Sequence, residues 1–372
     1  MRVELIESCD GLKRLSGRWN ELLEESGCAN IFLTEEWVWT WWECFGDGKR
    51  LYIITVYTDE GELVGIAPFL RHRVRTCGMD FTAVGLLGSG DEVSPDYLDI
   101  IVRKNMSDKV AEEVAGFLLG AGKRDWDLVA LNDVLSNSIV MAMVKKMADS
   151  RGLKLWDFPH NACPYIRLPD TWDEYSKSIS GKKRYEMRRR LKLLKKDHRV
   201  EFVRLERRED VEDALSTFFS LHSGRWEGRG KKGMFDAHNN VMAFHRKVAP
   251  LLFERNWLRI FFLKVDGKPV AALYGFEYDR RLFHYNAGYD ISWSKFGVAK
   301  QLIAFVIEES IVNGLVEFDF LKGEEPYKYD FTKTQRQLFT ALLWSDSLKG
   351  RLHRVANGAL RKLKGYKRQI NT

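Results

Sequence analysis

One order of elements is written twice along this chain, and that repetition limits the fold more than any other feature. From Leu51 to Arg71 two apolar runs flank Asp59-Glu60-Gly61; from Leu258 to Tyr278 two more flank Asp266-Gly267. An acid followed by Gly between apolar runs is a hairpin signal. Each second strand has a small residue near its middle, Ala67 or Ala271. After the first hairpin come a Gly-rich stretch from Leu86 to Asp99, a helix over 107–122 and a strand from Trp126 to Leu131. A helix over 136–149 and a strand from Leu153 to Phe158 follow. After the second come a strand from Leu282 to Tyr289, a turn from Ser292 to Gly297 and a helix from about 298 to 313. A strand from Val316 to Leu321 and a last one from Leu338 to Trp344 complete it. Helices alternating with strands after a hairpin imply mixed sheets with helices packed on them, so the fold class is α/β. A duplicated module is the simplest source of the pattern; two unrelated α/β domains sharing common parts are the alternative.

Two domains also suit 372 residues, since single cores stop growing near about 250–300 residues. The polar stretch Pro159–Pro169 reads as a linker, which places the modules at 1–160 and 161–372. Just beyond it, Thr171 and Glu174 form a capping box, so a helix starts there. Gly181 breaks that helix and a very basic one follows.

Charge is concentrated rather than spread. The net charge is +7, yet Lys182–Lys196 alone is net +8 and Lys349–Arg368 is also net +8, which leaves the rest at −9. An acidic body with two basic patches suits a localised anionic partner, not general binding to DNA. No stretch reaches the roughly 18–20 apolar residues of a membrane span. The N-terminus carries acids and no apolar run, so no signal peptide is expected. Five scattered cysteines form no CxxC, so neither a disulfide framework nor a metal site is expected, and the reading is cytoplasmic.

Four places can carry chemistry. The turn Ser294–Ala299 joins a strand to a helix, and the free N–H groups of a helix N-terminus suit a phosphate. Gly297 either admits that phosphate or merely serves a tight turn. Next, Glu317 and Asp319 share one face of a strand whose exit carries Lys322, Glu324, Tyr327 and Lys328. This is either a site or a structural ion-pair cluster. His222, Arg225, Trp226 and Arg229 then lie in a stretch where arginines can bind carboxylate or phosphate and Trp226 can stack. It is otherwise a solvated loop. The basic helix has a buried stripe of Met187, Leu191 and Leu194, and its charged face meets either an anion or only water. The basic C-terminal stretch Leu348–Lys367 is amphipathic. It reads as a helical cap, or as a contact with an anionic membrane surface.

Taken together these places resemble one family. The residues are Trp172-Asp173-Glu174-Tyr175, the Ser180, Lys182, Arg184 start of the basic helix, Phe218-Phe219, Leu221-His222 and Arg225-Trp226. They continue with Asp266-Gly267, Pro269–Ala272, Tyr285, Gly288-Tyr289-Asp290 and Phe318-Asp319-Phe320-Leu321, Gly323, Tyr327-Lys328. The pattern resembles the CelD/BcsL-like acyltransferase group of the GNAT superfamily, which is related to the Fem-type peptidoglycan aminoacyltransferases. It covers about 170–345. Phe32–Trp37, Trp41-Trp42, Gly65–Pro68 and Asp96–Asp99 match more loosely.

The resemblance implies two tandem GNAT-like acyltransferase modules, the first degenerate. It implies transfer of an acyl group from acetyl-CoA or another acyl-CoA, or from aminoacyl-tRNA, to an amine or hydroxyl. The acceptor it implies is an anionic small molecule or glycan precursor of the cell envelope or an exopolysaccharide. The pyrophosphate loop of the CoA-using enzymes, Gln/Arg-x-x-Gly-x-Gly/Ala, is matched by Gly297 and Ala299, while Ser294 with Lys295 beside it stands at the Gln/Arg position. Donor-binding residues are then Lys295, Gly297, Val298 and Ala299. Asp319 is the expected base, Tyr327 the acid for the leaving thiolate and Lys328 the holder of phosphate or oxyanion. Arg184, Arg188, His222, Arg225, Trp226 and Tyr289 are expected to bind substrate.

Overall fold

The structure, a computed structural model, describes residues 1–358 except 91, 228–229, 231–232, 238 and 357; for 226–227, 236–237 and 239 only the backbone is described. The chain divides into two compact units. Met1–His160 with the stretch from Gln337 onward forms one, and Asn161–Arg336 the other.

In the first unit the apolar runs form strands: β1 (Arg2–Ile6), β2 (Arg50–Tyr57), β3 (Leu63–Thr76), β4 (Met79–Leu86), the short β5 (Ile101–Val102) and β6 (Leu128–Leu135). β1 to β4 pair antiparallel in order and β6 joins β4 in parallel, while β5 pairs β3. Leu51–Tyr57 are all buried, because β2 is covered on both faces. One cover is the helix Ser107–Leu119, whose Phe117 ring lies 6.3 Å from that of Tyr52; the helix Glu35–Phe45, capped by Thr34, buries Trp37 and Trp41 fully.

The second unit repeats the order. β7 (Leu155–Arg167) leads into it. Then come β8 (Val200–Arg204), β9 (Leu258–Val265), β10 (Lys268–Tyr278), β11 (Arg281–Tyr289) and β12 (Glu317–Asp319). β8 to β11 pair antiparallel in order and β12 joins β11 in parallel. The two sheets therefore share one strand order. The helix Val298–Val312 lays Val298, Leu302 and Val306, spaced four apart, into a core with Leu273, Leu282 and Phe318. Fully burying each such side chain contributes about 1.5–3 kcal/mol. The helix Val211–Glu227 brings Phe218 to 5.2 Å, ring to ring, from Tyr274.

Three sequence expectations change. Pro159–Pro169 is mostly strand β7 rather than a loop, and Tyr165–Arg167 pair with β12, although the chain does pass from one unit to the other within it, at His160 and Asn161. β4 follows a tight turn at Cys77-Gly78 that was not expected. The last strand, β13 (Gln335–Trp344), was placed with 161–372, but from Leu338 to Trp344 it pairs antiparallel with β6 of the first unit. Two helix starts are as read: Thr171 caps Trp172–Ser178 by accepting from Glu174 N (3.2 Å), and Ser180 caps the basic helix Gly181–Asp197; the helices Glu35–Phe45 and Asn239–Glu254 were not expected.

Candidate active site

β12 pairs with β11 over only three residues, Arg281 to Phe283, and β11 then runs on to Tyr289. Beyond the pairing the register of β10 and β11 slips at Tyr274/Gly275. The slip inverts the alternation, so Leu282 and Tyr289, seven apart, pack on the same core. Gly288 is obligatory here, since a Cβ would lie 2.4 Å from the backbone nitrogen of His222. This close approach brings the helix Val211–Glu227 onto the end of β11.

After β11, Asp290 caps a short 3₁₀ turn, Ile291–Phe296. Gly297 then takes left-handed dihedrals (φ 65°, ψ 37°) and the helix Val298–Val312 begins with no side-chain cap and no acid in its first turn. Its first intrahelical bond is Gln301 N to Gly297 O (3.0 Å). The N–H groups of Val298, Ala299 and Lys300 precede that bond and carry the positive end of the helix dipole.

These N–H groups border a cavity of about 240 Å³. Gly297, Val298, Ala299 and Ser294 form one wall; Ala287, Tyr289 and Tyr327 line it from the strand side. Three cations, Arg190, Arg225 and Lys300, also line it, with no carboxylate among the lining residues described. Arg190 Nη1 lies 3.3 Å from where a Cβ on Gly297 would sit, and Arg190 Nε donates to Glu186 (2.6 Å). Arg189 and Arg190 pull the half-exposed Glu186 carboxyl down to about 2. Arg225 donates to Ala287 O (3.0 Å) and stands over the Tyr289 ring at 5.4 Å. Lys300 bonds Asp330 (2.5 Å), which also takes Lys183 (2.7 Å). Partial burial works against ionisation of Asp330, but these two lysines prevail and hold it below the usual carboxylate range. Glu186 and Asp330, outside the lining, hold Arg190 and Lys300, while Arg225 is held by Ala287 and Tyr289 of the wall, and the space between the three suits an anion.

Tyr327 is a buried phenol in the cavity wall. Burial, with Glu325 beside it, raises its phenol above the ordinary value, so it is a protonated donor at neutral pH. His284 lies close by, ring centroids 6.5 Å apart. It is buried, and neither ring nitrogen has a partner among the described residues. Burial, with Lys328 and Arg225 nearby, lowers it to about 3, so it is neutral.

The structure thus brings together Gly297, Val298, Ala299, Arg225, Tyr289 and Tyr327. The other expected residues whose side chains are described lie outside the lining. Asp319 is fully buried; its carboxylate accepts from Leu321 N (2.7 Å) and Arg336 Nη1 (2.7 Å), and Arg336 also grips Glu317. That pairing suits a structural ion cluster, not a free base. Lys328 is buried and donates to Leu321 O (3.1 Å) and Lys322 O (2.8 Å) while pairing Glu325 (3.0 Å), so it ties down its own loop. Lys295 is exposed, over the Phe296 ring. Arg184 donates to Ser176 O (2.8 Å), and Arg188 is exposed on the basic helix. His222 is in the core against Phe218 and Phe235. Trp226 is on the last turn of its helix with its side chain outside the described residues, as is Arg229 altogether. Sequence reasoning missed Arg190, Lys300 and His284. Arg190 had a signal: three residues after Met187 and four before Leu194, it lies on the flank of the buried stripe.

Residues 181–329 match the family described as an acetyltransferase (GNAT) domain. No curated protein matches the chain. Among solved structures, FemX is similar at TM-score 0.62 and 11% identity, over 95% of this chain and 99% of that one. A conserved protein of unknown function from Bacteroides thetaiotaomicron is similar at 0.53 and 13%, over 92% and 100%. The C-terminal domain of a lysylphosphatidylglycerol synthetase from Agrobacterium fabrum is similar at 0.51 and 10%, over 94% and 97%. At these identities the likeness is one of fold. With the matched domain in the second unit and the same strand order in both, the architecture is two tandem GNAT modules, and the chain is an acyltransferase.

Proposed function

We propose that this acyltransferase takes its acyl group from acetyl-CoA or another acyl-CoA bound in the second unit. One observation carries the reading: an uncapped helix N-terminus opens on a cavity lined by three cations and no carboxylate. The pyrophosphate lies against the N–H groups of Val298–Lys300, with Arg190 and Arg225 on its charge. The acyl arm follows β11 past the point where β12 ends. Tyr327 donates a hydrogen bond to the sulfur as it leaves. Its raised pKa makes full transfer to a thiolate, whose thiol has a pKa of about 8.5, an uphill step. Its contribution is stabilisation of the developing charge.

The acceptor is an amine or hydroxyl of an anionic cell-envelope or exopolysaccharide precursor, met in the cytoplasm. The resemblance to the CelD/BcsL-like group supports this class, as does the exposed row of Lys182, Arg188, Arg189 and Lys192 on the helix that presents Arg190. A second reading, an aminoacyl-tRNA donor of the Fem type, is favoured by the likeness to FemX and by the same basic helix.

Titration calorimetry with acetyl-CoA, a long-chain acyl-CoA and aminoacyl-tRNA tests both. Binding of an acyl-CoA, weakened by Arg190→Ala, supports the first reading; binding of tRNA alone overturns it. With a turnover assay in hand, Tyr327→Phe is expected to lower kcat roughly ten- to a hundredfold with KM little changed.

A further inference from the structure

The second basic patch belongs to the first unit. Residues 348–356 are helical. The helix is fastened by His353, whose Nδ1 accepts from Trp344 Nε1 (2.9 Å) and whose Nε2 lies 3.1 Å from Thr76 Oγ1. Its ring packs edge-on against Phe81, centroids 4.5 Å apart. Gly350 is buried beneath the helix, where a Cβ would lie 2.5 Å from Ser345 Oγ. One face is therefore firmly seated.

The opposite face carries Leu348, Leu352 and Val355, at spacing i, i+4, i+7, exposed by 75%, 43% and 66%. By helical geometry Lys349 and Arg351, both exposed, flank this stripe on either side. From Lys349 to Arg368 the sequence holds eight Lys or Arg and no acid. The hairpin that His353 touches adds Arg75 and the exposed Met79.

We propose that this helix docks the protein on an anionic lipid surface. Three large apolar side chains set on water, between cations, match a bilayer interface. The apolar row enters the headgroup boundary and the cations meet lipid phosphates. A nucleic acid would use the cations and leave the apolar row wet. The proposal is independent of which acyl donor fills the cavity.

The test is co-sedimentation of the full chain with vesicles of phosphatidylglycerol and phosphatidylcholine in equal parts, against phosphatidylcholine alone. Binding is expected to the first only, and to fall with salt as the Debye length shrinks from about 10 Å at 0.1 M. The triple change Leu348→Ser, Leu352→Ser, Val355→Ser and, separately, Lys349→Glu with Arg351→Glu should each reduce partitioning roughly tenfold. Circular dichroism and acyl-CoA binding should stay unchanged. The charge pair keeps the apolar row intact and alters only exposed residues, so it remains informative if the serine variant fails to fold. Unchanged partitioning of the charge variant overturns the proposal. So does a dimer that dissociates in the serine variant without any vesicle binding, which would make the stripe a seat for a second copy.

Discussion

The two units share a strand order but treat oppositely the helix that leads into the parallel strand of each sheet. In the first unit the helix Ser107–Leu119 has Asp108 in its first turn, and its Val110 presses so closely on Gly65 of β3 that a Cβ there would lie 2.4 Å away. The next helix, Ile139–Arg151, is closed by Asp99, whose carboxylate accepts from Ile139 N (2.9 Å) and Val140 N (2.7 Å). Both termini are thus supplied with negative charge by the chain itself. In the second unit the helix Val298–Val312 has neither a cap nor an acid, and arginines stand where the carboxylates would be. On the proposed reading, one plan used twice yields a closed module and one open to an anionic donor through the placement of a few carboxylates.

The strongest test of that contrast concerns the carboxylate that serves structure in the open unit. Asp319→Ala is expected to destabilise the second unit by about 3–5 kcal/mol, because it leaves Arg336 half-paired in a buried site. Denaturant melts measure the loss. A stable variant with turnover abolished would instead make Asp319 a catalytic base and blur the comparison.

Asp99 gives the next effect. Burial outweighs its three backbone N–H bonds and raises its carboxyl to about 6 from 3.8. The folded state then binds a proton more readily than the unfolded chain. The stability attached to Asp99 is therefore full below about pH 4 and is lost as pH rises through about 6, by up to about 3 kcal/mol. The stability difference between wild type and Asp99→Asn, followed by melts from acid to neutral pH, should show this slope. A flat difference would mean that burial and the three N–H bonds cancel, and a difference that grows with pH would mean that the N–H bonds dominate.

Gly297→Asp would make the open terminus resemble the closed ones. Donor affinity should fall at least tenfold, about 1.4 kcal/mol, while Gly297→Asn, which also tolerates left-handed dihedrals, should lose less. Asp108→Asn in the first unit should leave donor binding unchanged. Equal binding by all three proteins would erase the distinction between the units.

The smallest effect is that of single cations. Arg190→Ala or Arg225→Ala should raise the donor's KM several-fold, about 1 kcal/mol, with kcat nearly constant, since ground state and transition state use these contacts alike. A selective fall in kcat would move the arginine from binding to chemistry.

How much of this could be read from the sequence follows from how local each signal is. Both hairpins were legible because the acid-Gly turns and their flanking apolar runs lie within about 20 residues. The cavity helix was legible because a Gly between a strand and a helix marks a change of backbone hand. β4 was missed because its turn, Cys77-Gly78 with φ of 51° and 80°, uses an uncommon first residue for a tight hairpin. Pro159–Pro169 looked like a linker because its strand partner, β12, lies far along the chain. Asp319 read as chemical because its neutralising partner, Arg336, is seventeen residues later and across a loop. Arg190 needed the phase of its helix, not its charge, to be distinguished from Arg184 and Arg188.

The return of β13 to the first sheet has a consequence for biosynthesis. β6 has its antiparallel neighbour only when Leu338–Trp344 exist, yet the second unit is complete at Arg336. On the ribosome the C-terminal partner strand of the first module is therefore made last. The second module has all its residues while the first still waits with the β6 edge unpaired. Folding from the N-terminus, the usual order during synthesis, is inverted here for the final step. An unpaired edge invites pairing with other strands, so the nascent protein is most exposed to misassembly between translation of β6 and of β13.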